Sequence, residues 1–337
     1  MAGEAPSSGT RAKGRPLVPG AAPAPATRYP RSMLPLGLID IRPASTALQL
    51  GPVTVDFYGI GYALALAIGV WIASRQARLR HEDADHIGNG IIFVFVLGLI
   101  GARLYHLIDQ WNTLYASDPI KAILPPYTGL GIYGGIVGGV IAVLIYTRRH
   151  RLSFLRWADI AVPAVLVGQA IARWGNFFNQ ELYGPPTNLP WGIAIDCSKR
   201  VVEYACSIYP ANTGFQPLFF YESSLDFIGA LIALYLARRV AGRLRDGDLF
   251  SFWFIWYGAV RSVLELFRLG YDWTFFGIPT AILVGLAGMA FGALTIWWRH
   301  REPGPSTADV DRERAASEGA GPAAGSATPE PAEQTPV

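Results

Sequence analysis

Residues 172–184 read Ala-Arg-Trp-Gly-Asn-Phe-Phe-Asn-Gln-Glu-Leu-Tyr-Gly and end an apolar run that begins at Ala158. Arg173, the amides of Asn176, Asn179 and Gln180, and the carboxylate of Glu181 stand close together there. They fall where a bilayer-spanning helix should leave the membrane. A guanidinium near hydrocarbon costs about 2.5–3.5 kcal/mol on insertion scales, so such an arginine marks a functional site by default. The plain alternative is a side chain that snorkels to the headgroups. The chemistry open to this set is anion recognition. A guanidinium fork matches two oxygens of a phosphate, amides add neutral donors, and a carboxylate orients the fork or takes up a proton.

A second set is Tyr257, Arg261, Glu265 and Arg268, whose spacings of four, four and three define one helical face. Charged residues on one face of an apolar helix should look into a bundle or a wet cavity rather than at lipid. Alternatively, Arg261 and Glu265 simply neutralise each other. Tyr58, Arg103, Tyr133, Tyr221 and Glu222 lie near the ends of other apolar stretches. Arg103, Arg173, Arg261 and Arg268 are matched in number by Glu181, Glu222, Asp226 and Glu265. Charge counting therefore does not establish an anion site, and position has to.

The elements that position these groups are apolar. Of the 337 residues, 51% are hydrophobic and 16% charged, against about 25% charged in soluble domains, which points to several membrane spans. Seven segments have the roughly 20-residue length that crosses about 30 Å of hydrocarbon: 53–74, 87–108, 129–147, 157–176, 217–237, 249–268 and 277–298. The fold expected is an all-α integral membrane bundle of about seven transmembrane helices. Gly131, Gly134, Gly135, Gly138 and Gly139 allow close helix packing or the approach of a lipid or peptide to the backbone.

Arginine clusters follow the first, third, fifth and seventh segments: Arg75, Arg78 and Arg80; Arg148, Arg149, Arg151 and Arg156; Arg238, Arg239, Arg243 and Arg245; Arg299 and Arg301. The bias of basic residues to the cytoplasmic side puts the N-terminus outside and the C-terminus in the cytoplasm. The basic residues before the first span, Arg11, Lys13 and Arg15 among them, run against this orientation. At 1.5 Å per residue, Arg103 and Arg173 lie about 25 Å from the cytoplasmic ends of their spans, and Arg261 about 20 Å. Tyr58, Tyr133, Tyr221 and Glu222 sit near the outer ends of spans running the other way. The polar groups thus gather in the outer half of the bilayer, at the depth of phospholipid phosphates.

Residues 1–50 and 301–337, rich in Pro, Ala and Gly or Glu, are expected to be disordered tails. Between them lies a seven-span catalytic domain, 51–300, with the extracytoplasmic loop 177–216. That loop holds both cysteines, Cys197 and Cys206. The oxidising side of a membrane permits a bond between them; two free thiols are the alternative. A net charge of +3 is too small to argue for nucleic acid, and no metal-ligand spacing or nucleotide motif is present, so no cofactor is expected.

The stretch 172–184 resembles the signature of the bacterial prolipoprotein diacylglyceryl transferase family, broadly Gly-Arg-x-Gly-Asn-Phe-x-Asn-x-Glu-x-x-Gly. Arg173, Gly175, Asn176, Phe177, Asn179, Glu181 and Gly184 fit it. Tyr58-Gly59, Gly101-Ala102-Arg103, Gly129 to Gly135, Pro217 to Glu222, and Gly247 to Arg268 resemble the family's other motifs in order, so the likeness covers about 53–298. Three positions depart from it: Ala172 for Gly, Tyr133 where His is frequent, and Gln216 where His often precedes the proline.

The resemblance implies transfer of the diacylglyceryl group of phosphatidylglycerol to the thiol of a lipobox cysteine, leaving a thioether and releasing glycerol 1-phosphate. Its partners are phosphatidylglycerol, prolipoprotein signal peptides and membrane lipids, and its place is the bacterial plasma or inner membrane, as a multi-pass protein. Arg173 and Arg261 are then expected to bind the phosphate and stabilise the leaving group. Asn176, Asn179, Tyr58, Arg103 and Tyr133 are expected to bind the lipid, with Tyr257 and Glu181 assisting catalysis. Glu265, Arg268, Glu222 and Tyr221 brace them. Two other readings stay open on the sequence: a catalytically silent paralogue that binds lipid or signal peptides, and a small-solute transporter.

Overall fold

The computed structural model describes residues 47–50, 53–116, 118–122, 131–268 and 274–319, all within one structural unit, Pro35–Val337. The described chain is mostly helical. Its long helices are α1 (Phe57–Leu79), α2 (Asp85–Asp109), α3 (Ile132–Arg149), α4 (Phe154–Asn179), α5 (Leu218–Arg239), α6 (Asp248–Glu265) and α7 (Thr280–Arg299). Each apolar segment of the sequence coincides with one of them to within a few residues. Five, α1, α2, α4, α5 and α7, are long and apolar enough to cross a membrane. The other two have 18 residues each, and α6 carries Asp248, Arg261 and Glu265.

Helix α4 is the central element, with buried residues from Arg156 to Asn176. It packs against α1, α5 and α6. Val162, Leu166 and Val167 of α4 meet Ala230 and Ala233 of α5 and Leu249 of α6 in the core. Ser153 caps its start by accepting from the Arg156 N–H. Its end is set by Gln180, which turns into the left-handed region at φ 55°. The Gln180 amide donates to Asp196 and accepts from the Asp196 backbone, both at 2.7 Å, so the loop beyond is tied to the helix end.

Helices α2 and α3 pack mainly on each other. A Cβ on Gly101 or Gly134 would collide with the backbone carbonyl of the other, so the third-span glycines serve close helix contact. Two-stranded pairs finish the description: β1 (Ala47–Leu50) with β2 (Val53–Asp56), β3 (Ile193–Ala194) with β4 (Gly214–Phe215), and β5 (Thr274–Phe275) with β6 (Ile278–Pro279). In the loop after α4, Cys197 and Cys206 are joined by a disulfide, with Cα atoms 5.5 Å apart. Tyr183, Ile195, Tyr204, Phe215 and Phe219 form a small core beneath it. Burial pushes the Tyr183 phenol up, offset in part by the Val201 N–H that its oxygen accepts.

The tails need correction. Residues 1–46 and 320–337 lie outside the described residues, but Ala47–Leu50 forms a strand and Thr307–Gly319 forms a helix, α8. Ser306 and Asp309 cap α8 reciprocally: the Asp309 N–H donates to Ser306 Oγ at 3.2 Å, and the Ser306 N–H to Asp309 Oδ2 at 3.0 Å. The helix is docked. The Thr307 N–H donates to the Leu244 carbonyl, and Asp311, Arg314 and Glu318 reach Arg156, Glu82 and His81.

Arginines 80 and 156 also differ from their reading as loop charges. Both are at least 95% buried. Arg156 donates to Glu82, to the Arg80 carbonyl and to Asp311. Asp159 of α4 accepts the N–H groups of Gly247 and Phe250 at 2.8 Å and so caps α6 from another helix.

Candidate active site

Four helix ends converge at the opposite end of α4. Its last turns supply Arg173, Asn176 and Asn179; the start of α5 supplies Tyr221, Glu222 and Asp226; the second half of α6 supplies Tyr257, Arg261 and Glu265; the start of α1 supplies Tyr58. Antiparallel packing of α4 against its neighbours brings residues far apart in sequence to one level.

The centre of the arrangement is Glu222. Its Oε1 lies 2.6 Å from Arg173 Nη2, and its Oε2 lies 4.0 Å from Arg261 Nη1. The two arginines singled out in the sequence thus flank a single carboxylate. Arg261 Nη2 also pairs with Glu265 at 2.7 Å, and Arg268 Nη1 lies 3.9 Å from the same Glu265 oxygen, as the helical spacing requires. Tyr257, one turn before Arg261, has its hydroxyl 3.4 Å from Arg173 Nη2, which donates to it.

Charge is layered by depth. The Glu222 and Glu265 side chains are 1% and 6% exposed, whereas those of Arg173 and Arg261 are 24% and 20% exposed. The carboxylates stand behind the guanidiniums and hold them in place. What the cluster offers to its open side is positive, although its formal charges nearly balance. Each guanidinium has five N–H donors, and these ion pairs engage only part of them.

Beside the arginines lies an amide–phenol set. Asn176 Nδ2 donates to Glu181 at 2.9 Å and to the Tyr58 hydroxyl at 3.3 Å, and Asn179 Nδ2 donates to the same Glu181 oxygen at 3.4 Å. Gly175 is what lets Tyr58 approach: a Cβ there would come within 2.9 Å of the ring. Gly184 anchors the following loop through its N–H, which donates to the Gln216 carbonyl at 2.8 Å. The loop also reaches back over α5, where Trp191 Nε1 donates to the Tyr221 hydroxyl at 2.8 Å.

Two further expected members stand on α2 and α3. Arg103 has its guanidinium 5.7 Å from the centre of the Tyr115 ring. Tyr133 is exposed on α3, with its ring 5.7 Å from that of Tyr105. Both belong to the α2–α3 pair. Conversely, sequence reasoning did not single out the bridging position of Glu222 or the full burial of Asp226 one turn along α5. The only signal was their shared helical face.

Comparison with known proteins identifies the family of the chain. The sequence pattern described as prolipoprotein diacylglyceryl transferase matches residues 45–298. The chain belongs to the prolipoprotein diacylglyceryl transferase family. A phosphatidylglycerol–prolipoprotein diacylglyceryl transferase of Halalkalibacterium halodurans is 38% identical over 260 residues, covering 77% of this chain and 87% of that protein. Proteins of the same name from Chloroflexus aggregans and Trichormus variabilis are 36% and 35% identical. Those matches cover 77% and 79% of this chain, and 90% and 93% of the two relatives. The region matched by the family contains every member of the Glu222 cluster and the amide set. It ends before α8, so the docked helix lies outside the family match.

Proposed function

We propose that this protein transfers the diacylglyceryl group of phosphatidylglycerol to the thiol of a lipobox cysteine in a prolipoprotein, the first step of lipoprotein maturation. The sulfur forms a thioether bond to the glyceryl carbon that carries the phosphate ester. The carbon–oxygen bond to phosphate breaks, and glycerol 1-phosphate leaves with the electron pair. The observation that carries this reading is the layering of charge, with buried carboxylates behind and half-buried arginines in front. A leaving phosphate gains negative charge as the bond breaks, and preorganised donors at that position stabilise it.

In this scheme Arg173 and Arg261 hold the phosphate, and Glu222 fixes the separation of the two forks. Tyr257 steadies Arg173, while Glu265 and Arg268 steady Arg261. Glu181 makes no ion pair among the described residues, which favours a role toward the thiol over one toward an arginine. Asn176 and Asn179 aim its carboxylate, and Tyr58 lines the same side. A thiol is a few per cent ionised at neutral pH and strongly nucleophilic, so a weak base suffices. Tyr221 braces the covering loop. Arg103 and Tyr133 have a role in lipid binding only if the α2–α3 pair supplies another wall of the site.

The proposed topology has seven spans, the N-terminus outside and the C-terminus in the cytoplasm of a bacterial cell, as a multi-pass protein of the plasma membrane. The arginine clusters after α1, α3, α5 and α7 support it. Mass spectrometry of a lipobox peptide incubated with the purified protein and phosphatidylglycerol tests the activity. A mass gain of one diacylglyceryl group is expected. Absence of the adduct, with lipid still bound, would instead select the silent paralogue that the departures at Ala172, Tyr133 and Gln216 suggest.

A further inference from the structure

A groove of about 660 Å³ runs between α1, α4 and α5, outside the Glu222 cluster. Its α5 wall extends from Phe220 to Arg238, about 27 Å at 1.5 Å per residue. The middle is apolar, walled by residues such as Ile72, Phe227 and Leu231. The charged groups gather at one end, Arg75 of α1 and Arg238 of α5 with Gln76 beside them, while Ser223 and Ser224 lie toward the other. Arg75 and Arg238 are exposed and form no ion pair with any described residue. Gln76 is 4% exposed, and its side-chain amide has no hydrogen-bond partner among the described residues. The amide of Gln76 lines the groove there and can donate to oxygens of a ligand headgroup.

We propose that this groove holds an anionic phospholipid of the cytoplasmic leaflet. Its phosphate sits at the end lined by Arg75, Gln76 and Arg238, and an acyl chain runs along α1 and α5 toward Trp174. The inference rests on the topology proposed above, in which both arginines lie at the cytoplasmic surface. There, basic pockets between helices attract anionic headgroups. Charge decides against the other occupants. A signal peptide carries its own positive charges at its cytoplasmic end and would meet like charge. A donor lipid on its way to Arg173 from the outer leaflet would carry its phosphate at the opposite end of the groove from Arg75 and Arg238. This lipid is therefore a resident one, separate from the lipid consumed in the reaction.

The test uses the full-length protein in detergent and native mass spectrometry. The probes are dioleoyl phosphatidic acid, dioleoyl phosphatidylethanolamine and inorganic phosphate, and transfer to a lipobox peptide is measured on the same preparations. Wild type should retain phosphatidic acid at least about tenfold more tightly than phosphatidylethanolamine, and the Arg75→Glu/Arg238→Glu double variant should lose about that factor. Leu231→Trp, which fills the groove and leaves the charges in place, should lose retention as well. Both variants change exposed side chains and should keep transfer within about twofold and the thermal transition of wild type. Unchanged retention in both variants, equal binding of phosphatidylethanolamine, or displacement of the lipid by millimolar phosphate would overturn the proposal. So would a photo-cross-link from a reactive group at Leu234 to the peptide. Lack of transfer by wild type, with lipid retention still dependent on Arg75 and Arg238, would sink the transferase reading alone.

Discussion

The two ends of α4 use the same chemical groups for opposite ends. Near its start, Arg156 is 1% exposed and satisfied on all sides by Glu82, Asp311 and the Arg80 carbonyl. Near its finish, Arg173 is 24% exposed, flanked by a buried carboxylate on one side and open on the other. A guanidinium enclosed by acceptors is a fastening. One held from behind and left open in front is free to meet a ligand, the role proposed for Arg173. The difference lies in which partner is buried more deeply, and neither charge balance nor residue type reveals it.

Several substitutions would break or sharpen this contrast. The largest effect is expected at Arg173→Lys and Arg261→Lys. Each keeps the positive charge that Glu222 requires and removes the fork, so transfer should fall by about 10²–10³-fold, the range for losing one charge-stabilising donor. Thermal unfolding in detergent should barely move. Retained transfer in both variants would show that the exposed arginines are not the reagents. Arg156→Ala should do the reverse. Stranding buried carboxylates costs about 3–5 kcal/mol, read as a lowered unfolding transition, while transfer per folded molecule stays at the wild-type level.

Smaller effects sharpen the assignment of other parts. Paired Cys197→Ser and Cys206→Ser changes should cost about 2–3 kcal/mol by loop-closure reasoning, seen as faster proteolysis within 185–216. The least effect belongs to pH and α8. Hydrogen bonds from Ser306 hold the Asp309 carboxyl below the usual carboxylate range. A depressed folded value means that the cap is fully present above the unfolded value and lost as pH falls through the folded one. Amide exchange in α8 should therefore quicken only in strong acid, and Asp309→Asn should remove that acid-dependent step.

Much of this was legible beforehand because hydrocarbon imposes a simple rule on sequence. Seven apolar segments fell on seven helices, and the four-four-three spacing of Tyr257, Arg261, Glu265 and Arg268 placed Glu265 between its two arginines. The parts that were not legible are tertiary. Glu222 looked like one more carboxylate near a helix end, and only the packing of α5 between α4 and α6 puts it between Arg173 and Arg261. Arg80 and Arg156 read as surface charges because a sequence count cannot tell a solvated arginine from one enclosed by Glu82, Asp159 and Asp311. Helix α8 was missed because its polar composition matches that of a linker. Its signal, the Ser306–Asp309 cap, lay in four residues rather than in any periodic pattern.

The contact between Arg156 and Asp311 joins positions 155 residues apart. A ribosome therefore delivers the arginine after Glu82 but long before Asp311, and the early bundle lacks one of the acceptors at the base of its central helix. Completion of that helix's surroundings waits for α8 to emerge. Translation that stops short of Thr307 would leave every member of the Glu222 cluster present while the start of α4 lacked its contact to Asp311.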